Sequence, residues 1–347
     1  MEKFKGFQME NNIKGIADNH ANEMNSLLKV VNNVEIPIIS VEKMLCEIQE
    51  NDCILITAAA YEEIVKQLAD RKKLDFIKCY ISWIMEIEQY DYERLKIKIP
   101  NCLSTCKKQE IPKKIHYCWF GKNKISDQCK KWMESWKYYC PDYEMIEWNE
   151  ENYNVHKNRY ISQAYEMKKW AFVSDYARID IVNEYGGIYL DTDVEIIKNI
   201  DELLLNDAFC GFETTQYVNY GLGFGSRKNN SILSEIKAYY DDINFVLSDG
   251  KINQITCPMM QTLIMKKHGL KCNGEFQTVN GMTVYPSRIL SGMSPYSFRI
   301  ERNATDTYMI HHYEGSWVDK EYSQWKNSLI AQIKKWSKND IYFYPCI

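Results

Sequence analysis

The stretch Gly186-Gly187-Ile188-Tyr189-Leu190-Asp191-Thr192-Asp193-Val194-Glu195 holds the residues best suited to chemistry. Two glycines precede an apolar run that ends in two carboxylates one residue apart. Continued as a strand, positions i and i+2 point to the same side, which sets Asp191 and Asp193 within roughly 7 Å of each other. Like charges that close repel unless a proton or cation lies between them. Hard oxygen ligands of this kind suit Mn²⁺ or Mg²⁺, which share one or two protein carboxylates with substrate phosphates. A solvated polar strand end is the plainer explanation, since Asp-x-Asp arises often by chance; the buried run and the paired glycines favour the metal. A second pair, Asp175 and Arg178, falls at i and i+3 of a helical segment. Exposed, such a pair stabilises by only about 0.2–0.5 kcal/mol. Ala171 and Val182 share its face, so the guanidinium is expected at a lined surface, where its planar donors suit a ribose, sugar or phosphate.

Positioning these groups takes an α/β rhythm. Lys113–Phe120 reads as a strand after Pro112. Ser126–Tyr139 reads as a helix, with Ser126 as its cap and Cys129, Trp132, Met133 and Trp136 on one stripe. Tyr143–Trp148 reads as a strand and Ile161–Tyr185 as one long helix stopped by Gly186. Ile188–Ile197 follows as a strand, and Asp201 as the cap of a short helix. Further strands fall at Ala208–Glu213, Leu222–Ser226 and Tyr308–Tyr313, with helices at Ser231–Tyr240 and Pro258–His268. Alternation of this kind implies a largely parallel sheet with ligands at the strand C-termini. Upstream, Val34–Ser40, Cys53–Ala58 and Phe76–Trp83 read as strands, and Val41–Glu50 and Tyr61–Lys72 as helices. The turn Ala58-Ala59-Ala60 lacks the glycines of a dinucleotide site, so that part receives no cofactor. Residues 1–108 are therefore expected to form a small α/β or helical accessory region, and residues 109–347 the catalytic domain.

The whole chain has 347 residues, 45% of them hydrophobic and 26% charged, the balance of an ordinary globular protein. A net charge of −4 advertises no nucleic-acid partner. No apolar run is long enough for a transmembrane helix, and the N-terminus lacks the apolar region of a secretory signal. The 12 cysteines are scattered without a Cys-x-x-Cys. They read as reduced thiols of a cytoplasmic protein, not a disulfide framework or zinc site. Aromatic residues reach 13%, which suits sugar and base stacking but also an ordinary core.

Four blocks in this order, residues 111–121 (Ile-Pro-Lys-Lys-Ile-His-Tyr-Cys-Trp-Phe-Gly), 171–178 (Ala-Phe-Val-Ser-Asp-Tyr-Ala-Arg), 185–194 and 311–317 (His-His-Tyr-Glu-Gly-Ser-Trp), resemble glycosyltransferase family 32. This is the group with a DXD sugar-binding region found in capsule and lipopolysaccharide synthesis. The sequence is also distantly similar to the glucosyltransferase domains of large glucosylating toxins. The resemblance covers roughly residues 111–320 and implies a GT-A fold that grips a nucleoside-diphosphate sugar through a divalent ion. It implies that Trp119 stacks on the nucleobase, that Asp175 and Arg178 bind the donor sugar, and that Tyr189 lines the site. Asp191 would contact ribose or sugar and share in the metal, and Asp193 would ligate it. His311 or His312 would join the ligands, with Ser316 and Trp317 closing over the diphosphate. Neighbours on a strand face opposite ways, so the sequence leaves the choice of histidine open. Asn219, with Gly221 and Gly223, is the candidate acceptor-side loop.

The implied activity is retaining hexosyl transfer to a saccharide or lipid-linked acceptor in surface polysaccharide synthesis, in the cytoplasm or at the inner face of a membrane as a peripheral protein. Two rival readings exist. Asp191-Thr192-Asp193 after an apolar strand also suits a haloacid-dehalogenase-type phosphatase with Asp191 as nucleophile, although that motif normally opens its domain. The other rival is a non-catalytic sugar-binding scaffold.

Overall fold

In the computed structural model the described residues are 13–19, 28–30, 34–58, 78–253, 255–300 and 305–315, with single positions in 63–68 and 324–328. By contacts the chain divides into two units, one drawn from residues 1–90 and the other from residues 91–329.

In the first unit, Leu28–Val30 pairs antiparallel with Val34–Ile36, and Ile16–Ala17 pairs parallel with Ile38–Ile39. The expected run from Val34 is thus two strands broken at Pro37, which has no N–H to give a ladder. Helix Val41–Glu47 is capped by Ser40, whose hydroxyl accepts from the Lys43 N–H at 3.2 Å. Cys53–Ile56 and Lys78–Ile81 form a parallel pair. Val41, Ile56, Leu68, Ile81 and Ile84 are its buried core. The helix expected over Tyr61–Lys72 lies mostly outside the described residues.

The second unit is built on a seven-stranded sheet. Its elements in chain order begin with β1 (Lys114–Cys118), α1 (Asp127–Tyr139), β2 (Glu144–Trp148), α2 (Arg159–Glu166) and α3 (Trp170–Tyr185). They continue with β3 (Gly187–Tyr189), β4 (Val194–Ile196), β5 (Ala208–Gly211) and β6 (Phe224–Ser226). The last are α4 (Ser231–Asp242), α5 (Cys257–Lys267), β7 (Gln277–Val279), β8 (Met282–Tyr285) and β9 (Met309–His311). The sheet order is β7-β8-β5-β6-β3-β1-β2. β1, β2, β3, β5 and β8 run one way, while β6 and β7 run against their neighbours. The sheet is therefore mixed, not largely parallel, but the α/β class is as expected.

α1 begins where the sequence places it: the Ser126 hydroxyl accepts from the Cys129 N–H at 3.0 Å, and Cys129, Trp132 and Trp136 are buried on one stripe. The long helix expected over Ile161–Tyr185 is two helices. Asn158 caps the first, accepting from the Ile161 N–H at 3.0 Å. The chain then turns at Lys168, whose φ of +57° no helix continues. α3 is buried along most of its length, so it lies between layers and not on a surface. Gly186 ends it with φ +66°, and Gly187 follows at φ +114° with its backbone against Lys114 and His116. A side chain at either position would be strained. Asp201 does not cap a helix: it accepts from the Tyr143 hydroxyl at 2.7 Å and from Lys113 at 3.0 Å, so its carboxylate is already engaged.

Residues 103–111 are tied to the second unit. Asn206, fully buried, accepts from the Thr105 N–H at 3.1 Å and the Thr283 hydroxyl at 2.8 Å. Its amide faces Leu103 O, Leu203 O and the Tyr285 hydroxyl.

Candidate functional site

The two aspartates follow the C-terminal end of β3, an interior strand of the sheet, but not on a continuous strand. β3 stops at Tyr189 and β4 starts at Val194; between them the Val194 N–H donates to Asp191 O at 3.0 Å and closes a turn. The carboxylates converge because the chain reverses here, not because strand positions alternate. β4 then pairs antiparallel with β9, with Val194 opposite His311. This pairing carries the second half of the site: the His312 N–H donates to Asp193 O at 2.9 Å, and the Glu314 N–H donates to Asp193 Oδ2 at 2.9 Å.

His311 is the histidine that the pairing brings in. Its Nε2 lies 3.4 Å from Asp193 Oδ1, and one ligand atom each of Asp191, Asp193 and His311 fall within 4.8 Å of one another. His312 turns the other way. Its ring stacks on Trp132 at 4.1 Å between centroids, and its Nε2 meets Glu195 at 2.8 Å. Two carboxylate oxygens and an imidazole nitrogen at this spacing are a donor set that fits Mn²⁺ or Mg²⁺.

Arg178 sits under the pair with its side chain 6% exposed. It reaches Asp175 at 3.0 Å and Asp191 at 3.3 Å, and its Nε donates to Ser174 O at 3.1 Å. The guanidinium also lies over the Tyr189 ring, 4.9 Å from its centroid. The Tyr189 hydroxyl in turn donates to Asp191 Oδ1 at 2.9 Å. Burial alone would lower the arginine, but Asp191, Tyr189 and Asp175 hold it charged well above its usual range. Burial lifts the Asp191 carboxyl, with Arg178 opposing and Asp193 reinforcing. The group is deep, although 27% of its side chain opens to solvent. Asp175 is likewise raised by burial against the pull of Arg178.

Among the other residues singled out by sequence, Trp119 comes one residue after β1, half-buried, and its indole N–H donates to Asn123 O at 2.5 Å. A cavity of about 390 Å³ opens nearby, lined by Gly121, Lys122, Lys168 and Trp170. Asn219 caps a short 3-10 turn, its side-chain oxygen accepting from the Gly221 N–H at 2.7 Å. Gly221 lies so close to Asp191 that a Cβ there would be 2.7 Å from Oδ2. Ser316 and Trp317 lie outside the described residues. Two groups escaped the sequence reading. Cys257, at the start of α5, bonds Asp175 and is held protonated by burial. Glu213, just past β5, accepts from the Asn219 amide at 2.8 Å. Neither belongs to a spaced motif, so only the fold reveals them.

Residues 126–210 match the family described as "Glycosyltransferase sugar-binding region containing DXD motif", a span that holds Asp175, Arg178 and both turn aspartates. The chain is similar to the DXD glycosyltransferases. Among curated proteins it is 33% identical over 105 residues to inositol phosphoceramide mannosyltransferase 3 of Schizosaccharomyces pombe (27% of each chain). It is 29% identical over 160 residues to mannosyl phosphorylinositol ceramide synthase SUR1 of Saccharomyces cerevisiae (40% of this chain, 41% of the other). The chain thus spans less than half the length of these two relatives. Among solved structures, PaToxG Glycosyltransferase aligns at TM-score 0.35 and 18% identity, over 54% of this chain and 76% of that one. No helix among the described residues is long and apolar enough to cross a membrane.

Proposed function

We propose that the protein is a metal-dependent, retaining glycosyltransferase of the GT-A type that moves a hexose from a nucleoside-diphosphate sugar to a saccharide or lipid-linked acceptor. The observation that carries this is the convergence of Asp191, Asp193 and His311 within 4.8 Å beside a buried, charged Arg178. Asp193 and His311, with Asp191, would hold Mn²⁺ or Mg²⁺; when bound there, such an ion offsets the charge developing on a diphosphate leaving group.

The chain's own residues supply the rest. Arg178 and Tyr189 hold Asp191 in one orientation, so its free edge can take a ribose or sugar hydroxyl without reorganising. Asp175 shares the Nη2 nitrogen with Asp191, which leaves one Nη1 hydrogen for the donor sugar. Trp119 is assigned to the nucleobase, and Ser316 and Trp317 to the diphosphate, on the resemblance alone. An Asp191 already engaged by Arg178 and Tyr189 suits a fixed binding group better than a phosphatase nucleophile. The names of the two yeast relatives make a mannosyl donor and an inositol-containing lipid head group the first pair to try. A role in surface polysaccharide synthesis, a cytoplasmic setting and an accessory role for the N-terminal region complete the reading.

The test is a thermal-shift and hydrolysis screen of sugar nucleotides with and without Mn²⁺. A true donor at one hundred times its Kd stabilises the fold by about 2.7 kcal/mol. Asp193→Asn keeps the shape of the side chain and removes a charge; turnover should fall by orders of magnitude and the Mn²⁺-dependent shift should vanish. Near-normal metal-dependent turnover in that variant overturns the reading.

A further inference from the structure

Glu213 lies two residues past the end of β5, at the same edge of the sheet as the aspartate turn after β3, because the two strands run in the same direction. The loop that carries it is tightly built. Phe212 bridges to Val218, and the Glu213 N–H donates to Tyr217 O at 2.9 Å. The Thr214 hydroxyl accepts from the Gln216 and Tyr217 N–H groups, each at 3.2 Å. α5 clamps the loop from behind: the Val218 N–H donates to the Thr262 hydroxyl and the Tyr220 N–H to Gln261, both at 3.0 Å.

One residue links this carboxylate to the donor pocket. The Asn219 amide donates to Glu213 at 2.8 Å while its oxygen accepts from the Gly221 N–H at 2.7 Å, and Gly221 abuts both Asp191 and Arg178. His311 lies within electrostatic reach of Glu213. Burial raises the Tyr296 hydroxyl, and Glu213 and Tyr217 lie near enough to add to it. Both tyrosines are open, at 42% exposed for Tyr217 and 44% for Tyr296.

The chemistry of this cluster differs from that of the donor side. A carboxylate at the same edge of the sheet as the aspartate turn repels a diphosphate, but it accepts hydrogen bonds from hydroxyls. Exposed aromatic rings offer flat apolar faces to the C–H face of a sugar ring, with a polar tip at one end. We propose that Glu213, with Tyr217 and Tyr296, forms the acceptor subsite, in which the carboxylate takes a hydroxyl hydrogen bond from a neutral polyhydroxylated ring such as a pyranose. This rests on the glycosyltransferase reading and adds to it the class of acceptor and the group that holds it. Burial, which raises the Glu213 carboxyl above its usual range, accords with a group shielded from bulk water at the mouth of the site.

The test uses the full chain with Mn²⁺ and the donor found in the screen, incubated with the methyl α-pyranosides of glucose, galactose and mannose. Glycoside formed and free sugar released are measured together. Glu213→Gln still accepts from Asn219, so the loop keeps its shape. The ratio of glycoside to free sugar should fall about tenfold or more, the loss expected when a hydrogen bond to a charged acceptor is removed. Tyr217→Ala, at an exposed position, should lower the same ratio. An unchanged ratio in both variants overturns the subsite, as does a parallel fall of glycoside and free sugar, which marks a donor-side or structural role. A wild-type protein that releases sugar yet glycosylates none of the pyranosides overturns the polyol assignment alone. One that releases no sugar from any donor overturns the glycosyltransferase reading together with the subsite.

Discussion

Gly221→Ala adds one methyl group at the tightest point of the site. Its Cβ would lie 2.7 Å from Asp191 Oδ2, 2.9 Å from Arg178 Nη1 and 3.0 Å from Asn219 Oδ1. Ordinary contact begins at 3.4 Å, so either Asp191 or the turn must retreat by about 0.7 Å. None of the three neighbours is a loose end: Tyr189 and Arg178 hold Asp191, Asp175 and Ser174 hold Arg178, and Glu213 holds Asn219. The backbone at Gly221 is not left-handed, so the effect is steric and not conformational. Overpacking of this kind costs about 1–3 kcal/mol of stability, which leaves the protein folded. The reacting groups need to be held to within roughly 0.5 Å, and a displacement of about 1 Å can cost roughly 100-fold in rate. Turnover is therefore expected to fall by about 10- to 100-fold, or about 1.4–2.7 kcal/mol of activation free energy. The assay is Mn²⁺-dependent donor hydrolysis, paired with a thermal melt that reports the folded fraction. A fully folded variant with wild-type turnover would refute the idea that Asp191, Arg178 and the 219–221 turn work as one rigid unit.

Two further outcomes follow from the interior. His116 is fully buried, with Nδ1 accepting from the Trp148 indole N–H at 3.1 Å and Nε2 donating to Gly186 O at 2.9 Å; burial depresses it from 6.5 to about 4. The unfolded chain takes up this proton below 6.5 and the folded chain does not, so the stabilisation is complete above 6.5 and is lost as pH falls toward 4, by about 3 kcal/mol; urea titrations of wild type and His116→Gln should show a shallower acid slope in the variant, and equal slopes would refute this. Asn206→Ala strands the buried Thr283 hydroxyl and the Leu203 carbonyl, while the Tyr285 hydroxyl keeps its bond to Leu103 O at 2.6 Å, and should cost about 2–4 kcal/mol at one to three per unsatisfied group; a loss under about 1 kcal/mol in chemical denaturation would show that these groups find other partners.

Local signals were legible in the sequence where they act over a few residues. Ser126 names its own helix start, and Gly186-Gly187 marks a stop that only positive φ permits. The acidic pair was legible as residues but not as geometry, because a turn closed by Asp191 O and the Val194 N–H looks, letter by letter, like a strand running on. The break at Lys168 was hidden because neither Pro nor Gly stands there, and a lysine at positive φ leaves no mark in the letters. The choice between His311 and His312 depends on a register set by residues 194–196, far away in the chain. Glu213 and Cys257 needed the sheet and α5 to bring them to the aspartates, and nothing in their own neighbourhoods announces it.

The pairing of β4 with β9 has a consequence for how the protein is made. Every strand of the seven-stranded sheet lies at or before Tyr285, whereas His311 comes last and reaches its place only by closing a loop of more than one hundred residues onto Val194. Closing so long a loop is slow relative to local pairing. On a ribosome adding roughly 5–20 residues per second, the sheet therefore has seconds in which to form before its third candidate ligand emerges. A chain that stops short of residue 309 carries all seven strands and both turn aspartates, yet lacks the histidine that completes the donor set. Assembly of the three-residue donor set thereby waits on synthesis past residue 311.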